Sequence, residues 1–330
     1  MSKLVTIYGG SGFVGRYIAR RMAKEGWRVR VAVRRPNEAM HVKPYGVPGQ
    51  VEPVLCNIRD DASVAAAMHG ADAVVNCVGV LNEHGKNTFA SVQVEGAARI
   101  ARFAHKQGIA QMVHVSALGA DASEDASAYA QTKAKGEEAV QGYFPNAVIL
   151  RPSVIFGTED QFFNRFAGMA RLSPVLPIAK GKTLFQPVYV DDVARAAVKG
   201  ILGEASPGIY ELGGPEVKSF AALMQEMLGV IHRRRLVLSL PGFAAWLTAF
   251  GFDMMQAISL QLIENKVLTR DQLKSLGSDN VVSEGARGFA DLGITPEFLG
   301  PILPSYLWKF RPSGQYDEMT ASARNLKGDA

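Results

Sequence analysis

Three residues of this chain have side chains suited to moving a proton: Ser116, Tyr129 and Lys133. Tyr129 and Lys133 are four positions apart, so on a helix they share a face. A free phenol titrates near ~10, and an ammonium group beside it stabilises the phenolate and lowers that value. Such a phenol can give or take a proton in a transfer step. Ser116 stands thirteen positions before Tyr129 and would hydrogen-bond the oxygen of a substrate. The Tyr-x-x-x-Lys spacing alone is also what an ordinary helix surface offers. Its place after an apolar strand that closes on a serine is what gives it chemical meaning.

A second group lies at the start of the chain, in Thr6-Ile7-Tyr8-Gly9-Gly10-Ser11-Gly12-Phe13-Val14-Gly15. An apolar strand runs into glycines at positions 9, 12 and 15 and then into a helical run. Glycine permits the tight turn and a close approach of backbone to ligand. The free N–H groups of the helix that begins there, at Ser11, Gly12, Phe13 and Val14, suit a pyrophosphate, and Gly15 would let helix and strand pack closely. This pattern predicts a dinucleotide. A fold preferring NAD places an acid at the end of the second strand, for the ribose 2′-hydroxyl. Here that position reads Arg34-Arg35. A guanidinium fork matches a 2′-phosphate, so NADP(H), as NADPH, is the expected cofactor. Tyr129 would then exchange its proton as hydride moves to or from the nicotinamide, with Lys133 also holding the nicotinamide ribose.

The elements that must position these groups follow from periodicity. Strands are predicted at residues 3–8, 28–33, 51–56, 73–78, 111–116 and 147–150, and helices at 12–25, 60–69, 87–107 and 127–141. Alternating strands and helices predict βαβ units. The expected fold is α/β, with a Rossmann-type doubly wound parallel sheet and a smaller mixed α/β C-terminal lobe. Residues 1–152 would form the NADP-binding core, with elements from about 184–212 completing its sheet. Past Arg151-Pro152 the strands shorten, to 184–190 and 208–212, and helices are predicted at 160–170, 191–202 and 219–228. Residues 153–312 would form the lobe, built onto the sheet rather than folding as an independent domain, and 313–330 a polar tail.

Composition narrows the class further. The chain has 330 residues, 48% hydrophobic and 20% charged, as in an ordinary globular protein. A net charge of +5 is mild, and no Lys/Arg block argues for nucleic acid. Cys56 and Cys77 fall at the ends of apolar strand runs and read as buried, reduced thiols. The six histidines lack metal-ligand spacing, so no metal site is expected. The N-terminus runs directly into the first strand, without the pattern of a signal peptide.

The C-terminal third has a different character. Residues 241–263 are apolar nearly all round and predict a helical segment buried on more than one side. The segment is long enough to span a bilayer, but the central Asp253 argues against that. It is expected to cover the lobe, or to meet a partner subunit or the membrane interface. His232-Arg233-Arg234-Arg235, just before it, suits anionic lipid or an acidic partner and reads equally as a solvated turn. Pro301, Pro304 and Trp308 predict an extended segment.

Together these pieces resemble a known family, the extended and atypical short-chain dehydrogenase/reductases. The matching stretches are Gly9-x-x-Gly12-x-x-Gly15, Asn57-Ile58-Arg59-Asp60, Asn76-Cys77-Val78-Gly79, Ser116, Tyr129-x-x-x-Lys133, Arg151-Pro152-Ser153-x-x-Phe156-Gly157 and Val188-Tyr189-Val190-Asp191-Asp192-Val193-Ala194. The resemblance implies cofactor contacts at Asn57, Ile58, Cys77, Val78, Gly79, Pro152 and Val154. The family more often has Asp where this chain has Asn57. Within it, four stretches resemble the NADPH-binding accessory subunits of respiratory complex I (NADH:ubiquinone oxidoreductase), including their α-proteobacterial form. They are Tyr8 to Tyr17, Gly79-Val80-Leu81, Gln186 to Ala194, and Asn265 to Asp279 with Leu268-Thr269-Arg270-Asp271-Gln272. This implies a tightly held NADPH with a structural role on the peripheral arm near the membrane, at the cytoplasmic face of a bacterial inner membrane, without catalytic turnover. Two alternatives stay open. One is a free NADP-dependent reductase or epimerase acting on a small carbonyl or sugar nucleotide, for which Ser116, Tyr129 and Lys133 are in place. The other is a dinucleotide-sensing regulator, against which the Tyr-x-x-x-Lys pair argues.

Overall fold

The structure is a computed structural model that describes residues 2–240 and 270–316. Its centre is a parallel sheet. The first strands are β1 (Leu4–Tyr8), β2 (Arg28–Val33), β3 (Val51–Leu55), β4 (Ala73–Asn76), β5 (Gln111–Val115) and β6 (Val148–Pro152). Two short strands β7 (Ile155–Phe156) and β8 (Val175–Ala179) follow, then β9 (Leu184–Phe185), β10 (Val188–Tyr189) and β11 (Gly208–Leu212). Seven of these form one sheet in the order β11-β6-β5-β4-β1-β2-β3, with every neighbouring pair parallel. The predicted fold class is thus observed. The order reverses at β1, which lies between β2 and β4. That switch point is where open α/β sheets bind ligands.

Alternation along each strand sends side chains to opposite faces. Val5, Ile7, Val29, Val31 and Val113 enter one buried layer, with Ile18 and Met22 of helix α1 (Phe13–Lys24). Tyr8, Ala32, Val74 and Met112 enter the other, with Val64, Ala97, Ile100 and Val140. Those four come from helices α2 (Asp61–Ala67), α3 (Glu95–Lys106) and α4 (Ala128–Tyr143). Two buried layers explain why the central strands β1 and β4 are buried along their whole length.

The smaller lobe contains α5 (Phe163–Leu172) and α7 (Phe220–Val230), while α6 (Val190–Leu202) packs back on the sheet. Its core holds Phe163, Leu176, Phe185, Phe220, Leu223 and Met227. Short strands β12 (Lys218–Ser219) and β13 (Leu236–Leu240) pair with β9 and β8. Helix α8 (Arg270–Ser275) and helix α9 (Leu299–Leu307) complete the described chain.

Several expectations are corrected. The extended segment around Pro301 and Pro304 is helix α9. Pro301 sits in its first turn, where an N–H has no intrahelical partner to lose. Pro304 lies inside the helix, which burial of Leu299, Leu303, Tyr306 and Leu307 holds together. The helix predicted over 87–107 opens with a π-helical turn, Ala90–Val94, before α3. There Gln93 donates to the Val80 carbonyl at 2.8 Å and accepts from Thr132 at 2.9 Å. The strand predicted over 184–190 is two short strands, β9 and β10. Of the basic cluster, Arg233 and Arg235 turn inward, donating to the carbonyls of Phe310 and Ala170, both at 2.8 Å. The apolar segment 241–263 and most of the polar tail lie outside the described residues. No helix among the described residues is long and apolar enough to cross a membrane.

Candidate functional site

Because the sheet is parallel, the loops after β1 to β6 all open on one edge. The glycine loop lies there. Gly9 adopts φ +73°, a backbone favourable to glycine, and its N–H donates to the Ala32 carbonyl at 3.0 Å. Gly12 donates back to the Gly9 carbonyl at 2.9 Å. A Cβ at Gly15 would lie 2.5 Å from the Gly9 carbonyl oxygen and 2.7 Å from Gly10 Cα. The loop and the first turn of α1 are thus pressed together in a way only glycine allows. Gly12 is the N-cap of α1 and supplies no side-chain acceptor, so the first-turn N–H groups around Phe13 and Val14 are available to an anion. Arg16 braces the loop from behind, donating to the carbonyls of Ser11 at 3.1 Å and Gly12 at 3.2 Å. Glu159 of the smaller lobe reaches Arg16 at 3.3 Å and accepts from the Tyr17 hydroxyl at 3.0 Å. Neither Arg16 nor Glu159 was singled out from the sequence.

The two arginines after β2 differ. Arg35 pairs with Glu38 at 2.9 Å. Arg34 is exposed and makes no side-chain hydrogen bond or ion pair with the described residues. Past β3, the Asn57 side-chain oxygen accepts the Arg59 backbone N–H at 3.2 Å, closing the turn. Ile58 is buried against Gly96 of α3, so its side chain belongs to the core layer.

After β4, Cys77 and Val78 adjoin the glycine loop: a Cβ at Gly9 would lie 3.2 Å from both. Burial pushes the Cys77 thiol up to about 12, so it stays protonated. A Cβ at Gly79 would lie 3.5 Å from Lys133 Nζ. Lys133 is buried and donates to the Val115 carbonyl at 3.3 Å. Burial lowers its ammonium to about 8, against the pull of Glu137. Nearby, buried His114 is held neutral, its pKa lowered to about 3 by burial and then by Lys133. Its Nδ1 meets Asn76 Nδ2 at 3.1 Å. The Asn76 oxygen is occupied by the Val78 N–H, so its NH₂ faces the ring.

Tyr129 lies one turn before Lys133, its ring edge-on to Phe89 at 6.0 Å and its centroid 5.9 Å from Lys133 Nζ. The expected lowering of its pKa is overturned: burial raises the phenol to about 12. At neutral pH it is a proton donor, not a base. Ser116 has protein partners of its own. Its hydroxyl donates to Glu137, and Arg151 holds that carboxylate through Nε at 3.0 Å and Nη2 at 2.6 Å. Residue 117, next along, is alanine. Ser116 therefore joins a buried ion network between β5, α4 and β6.

Beyond β6, Pro152 is buried, and the Val154 N–H is taken by the Asn280 side-chain oxygen at 3.1 Å, which also accepts from Ser153 Oγ at 2.6 Å. Asn280 is far away in sequence and bears no motif, so periodicity had no signal for it. Asp271 lies in one of the stretches that carry the resemblance, but its partners are distant in sequence: its carboxylate accepts the backbone N–H groups of Ala128 at 2.7 Å and Tyr129 at 3.3 Å.

A dinucleotide-type switch point, a glycine loop under a helix N-terminus and a Tyr-Lys helix define the class. Residues 5–213 match the model of the NAD dependent epimerase/dehydratase family, and the chain belongs to that family. The chain is 34% identical over 327 residues to the Arabidopsis thaliana protein named NADH dehydrogenase [ubiquinone] 1 alpha subcomplex subunit 9, mitochondrial, covering 97% of this chain and 81% of the relative. It is 27% identical to the NADH-ubiquinone oxidoreductase 40 kDa subunit of Neurospora crassa, covering 98% and 84%. Among solved structures it is similar to the Bordetella bronchiseptica enzyme WbmG in complex with NAD, with a TM-score of 0.69, 13% identity and coverage of 96% and 95%. At that identity the likeness is one of fold.

Proposed function

We propose that this chain is an accessory subunit of respiratory complex I that holds NADPH in a structural role. On this reading it supports assembly or stability of the peripheral arm at the cytoplasmic face of a bacterial inner membrane, with other complex I subunits as its partners and a lipid contact through 232–263. The observation that carries the reading is similarity along nearly the whole chain, including the part beyond the family model, to proteins named as subunits of that enzyme. The site supports it in two ways. The glycine cradle fits a pyrophosphate, and unpaired Arg34 fits a 2′-phosphate. Ser116 is engaged by Glu137. When bound, the nucleotide would supply hydride chemistry; the residues around it are arranged to bind and orient it.

The test is purification of the native chain from detergent-solubilised membranes. Complex I subunits should co-purify, and stoichiometric NADPH should survive gel filtration. A chain that runs alone, without nucleotide, overturns the reading. The Tyr129–Lys133 pair favours a second reading, a free NADP-dependent reductase or epimerase. Turnover on a panel of carbonyl compounds and sugar nucleotides, abolished in Tyr129→Phe, would establish it.

A further inference from the structure

We propose that Asp271 is a positioning residue for the nicotinamide end of the nucleotide site, so that docking of residues 270–280 and cofactor binding stabilise one another. This rests on the reading that the chain holds NADP(H).

The first N–H groups of a helix have no intrahelical acceptor. At α4 three of them are satisfied from two places. Ser127 accepts the Ala130 N–H at 3.1 Å, an ordinary N-cap. Asp271, 142 positions beyond Tyr129, takes the N–H groups of Ala128 and Tyr129. Its negative charge also suits the positive end of the helix dipole. Ser275 of α8 donates to the Ser127 hydroxyl at 2.9 Å, which joins the two caps. The segment then crosses the smaller lobe. The Leu276 carbonyl accepts from Thr183 Oγ1 at 2.7 Å, and Asp279 accepts the Leu184 N–H at 2.8 Å. It ends at Asn280, on Ser153, Val154 and, through Nδ2, the Leu118 carbonyl at 3.4 Å.

One segment therefore holds the start of the Tyr129–Lys133 helix and the loops after β5 and β6. Tyr129 is both the residue whose amide Asp271 holds and a residue facing the nicotinamide end. A nucleotide ribose held by Lys133 and Tyr129 fixes the first turn of α4, and a fixed first turn presents both amides to Asp271. Linkage makes the effect reciprocal. The groups assigned to the adenosine end, Arg34 and the glycine loop, follow β2 and β1 and do not depend on α4.

The test uses the full chain with two probes, NADPH and adenosine 2′,5′-bisphosphate, which lacks the nicotinamide ribose. Asp271→Ala should weaken NADPH by up to about 10-fold, within what the loss of a cap can pass on to binding, and leave the bisphosphate unchanged. Asp271→Asn keeps an acceptor oxygen and should recover most of the affinity, which also covers failure of the alanine variant to fold. In the unsubstituted chain NADPH should slow amide exchange at 128–130 and 276–282 together; in Asp271→Ala it should not. Equal weakening of both probes, unchanged NADPH affinity, or no protection of 276–282 overturns the proposal. If the unsubstituted chain binds neither probe, the nucleotide reading itself fails.

Discussion

The hydroxyl of Ser116 points its proton at Glu137, one helical turn past Lys133 on the same face of α4. The serine thus completes a buried network in which Arg151 also reaches Glu211 at 3.6 Å. Ser116→Ala is expected to leave NADPH affinity unchanged and to lower unfolding free energy by about 1.5–3 kcal/mol, the value of a hydrogen bond to a charged acceptor. Glu137→Ala should cost more, about 3–5 kcal/mol, because Arg151 loses its closest partner. Urea titration with parallel NADPH binding measures both, and a Ser116→Ala variant that keeps its stability but loses cofactor contradicts this assignment.

Arg34 and Arg35 should separate. Arg34→Ala is expected to weaken NADPH at least ~10-fold and NADH little, since a charge-assisted contact to phosphate is removed. Arg35→Ala, whose guanidinium already serves Glu38, should have a smaller effect. Equal losses for the two nucleotides in Arg34→Ala would remove the 2′-phosphate assignment.

Lys133 gives the site a pH dependence. Its ammonium titrates at about 8 in the fold, so NADPH affinity should fall as pH rises through 8 and the charge is lost. Lys133→Met should bind more weakly at pH 7 and lose this dependence. The stability effect has the opposite sign. The folded pKa lies below the ordinary lysine value, so the unfolded chain binds more protons between about 8 and 10.5, and stability rises with pH across that window. Calorimetry of the two proteins across pH 7–10, with and without NADPH, separates the effects. A flat affinity profile in the unsubstituted chain would contradict the role given to Lys133.

Gly15→Ala should be more damaging than its size suggests. The new Cβ meets backbone atoms of Gly9 and Gly10, which cannot swing aside as a side chain could. Displacing the loop is expected to cost about 1–3 kcal/mol of stability and to reduce nucleotide affinity at least ~10-fold, through the lost alignment of the α1 amides. Fluorescence titration and thermal melts check this, and near-normal binding would mean the loop does not carry the pyrophosphate.

The strands, the glycine loop, the two arginines and the Tyr-Lys spacing were legible in the sequence, because each is a local pattern. Strand alternation, a turn that needs glycine, and helical spacing are set by covalent geometry within a few residues. They sufficed for the parallel sheet and for the family. The direction of the Ser116 hydroxyl, the raised Tyr129 phenol, the Asp271 cap and the Asn280 contacts were decided only by tertiary structure. Each depends on which groups distant in sequence approach within hydrogen-bond distance, and on how much water they exclude. Arg34 shows both sides. Its position after β2 was readable, while its exposure without a side-chain partner among the described residues was seen only in the folded chain.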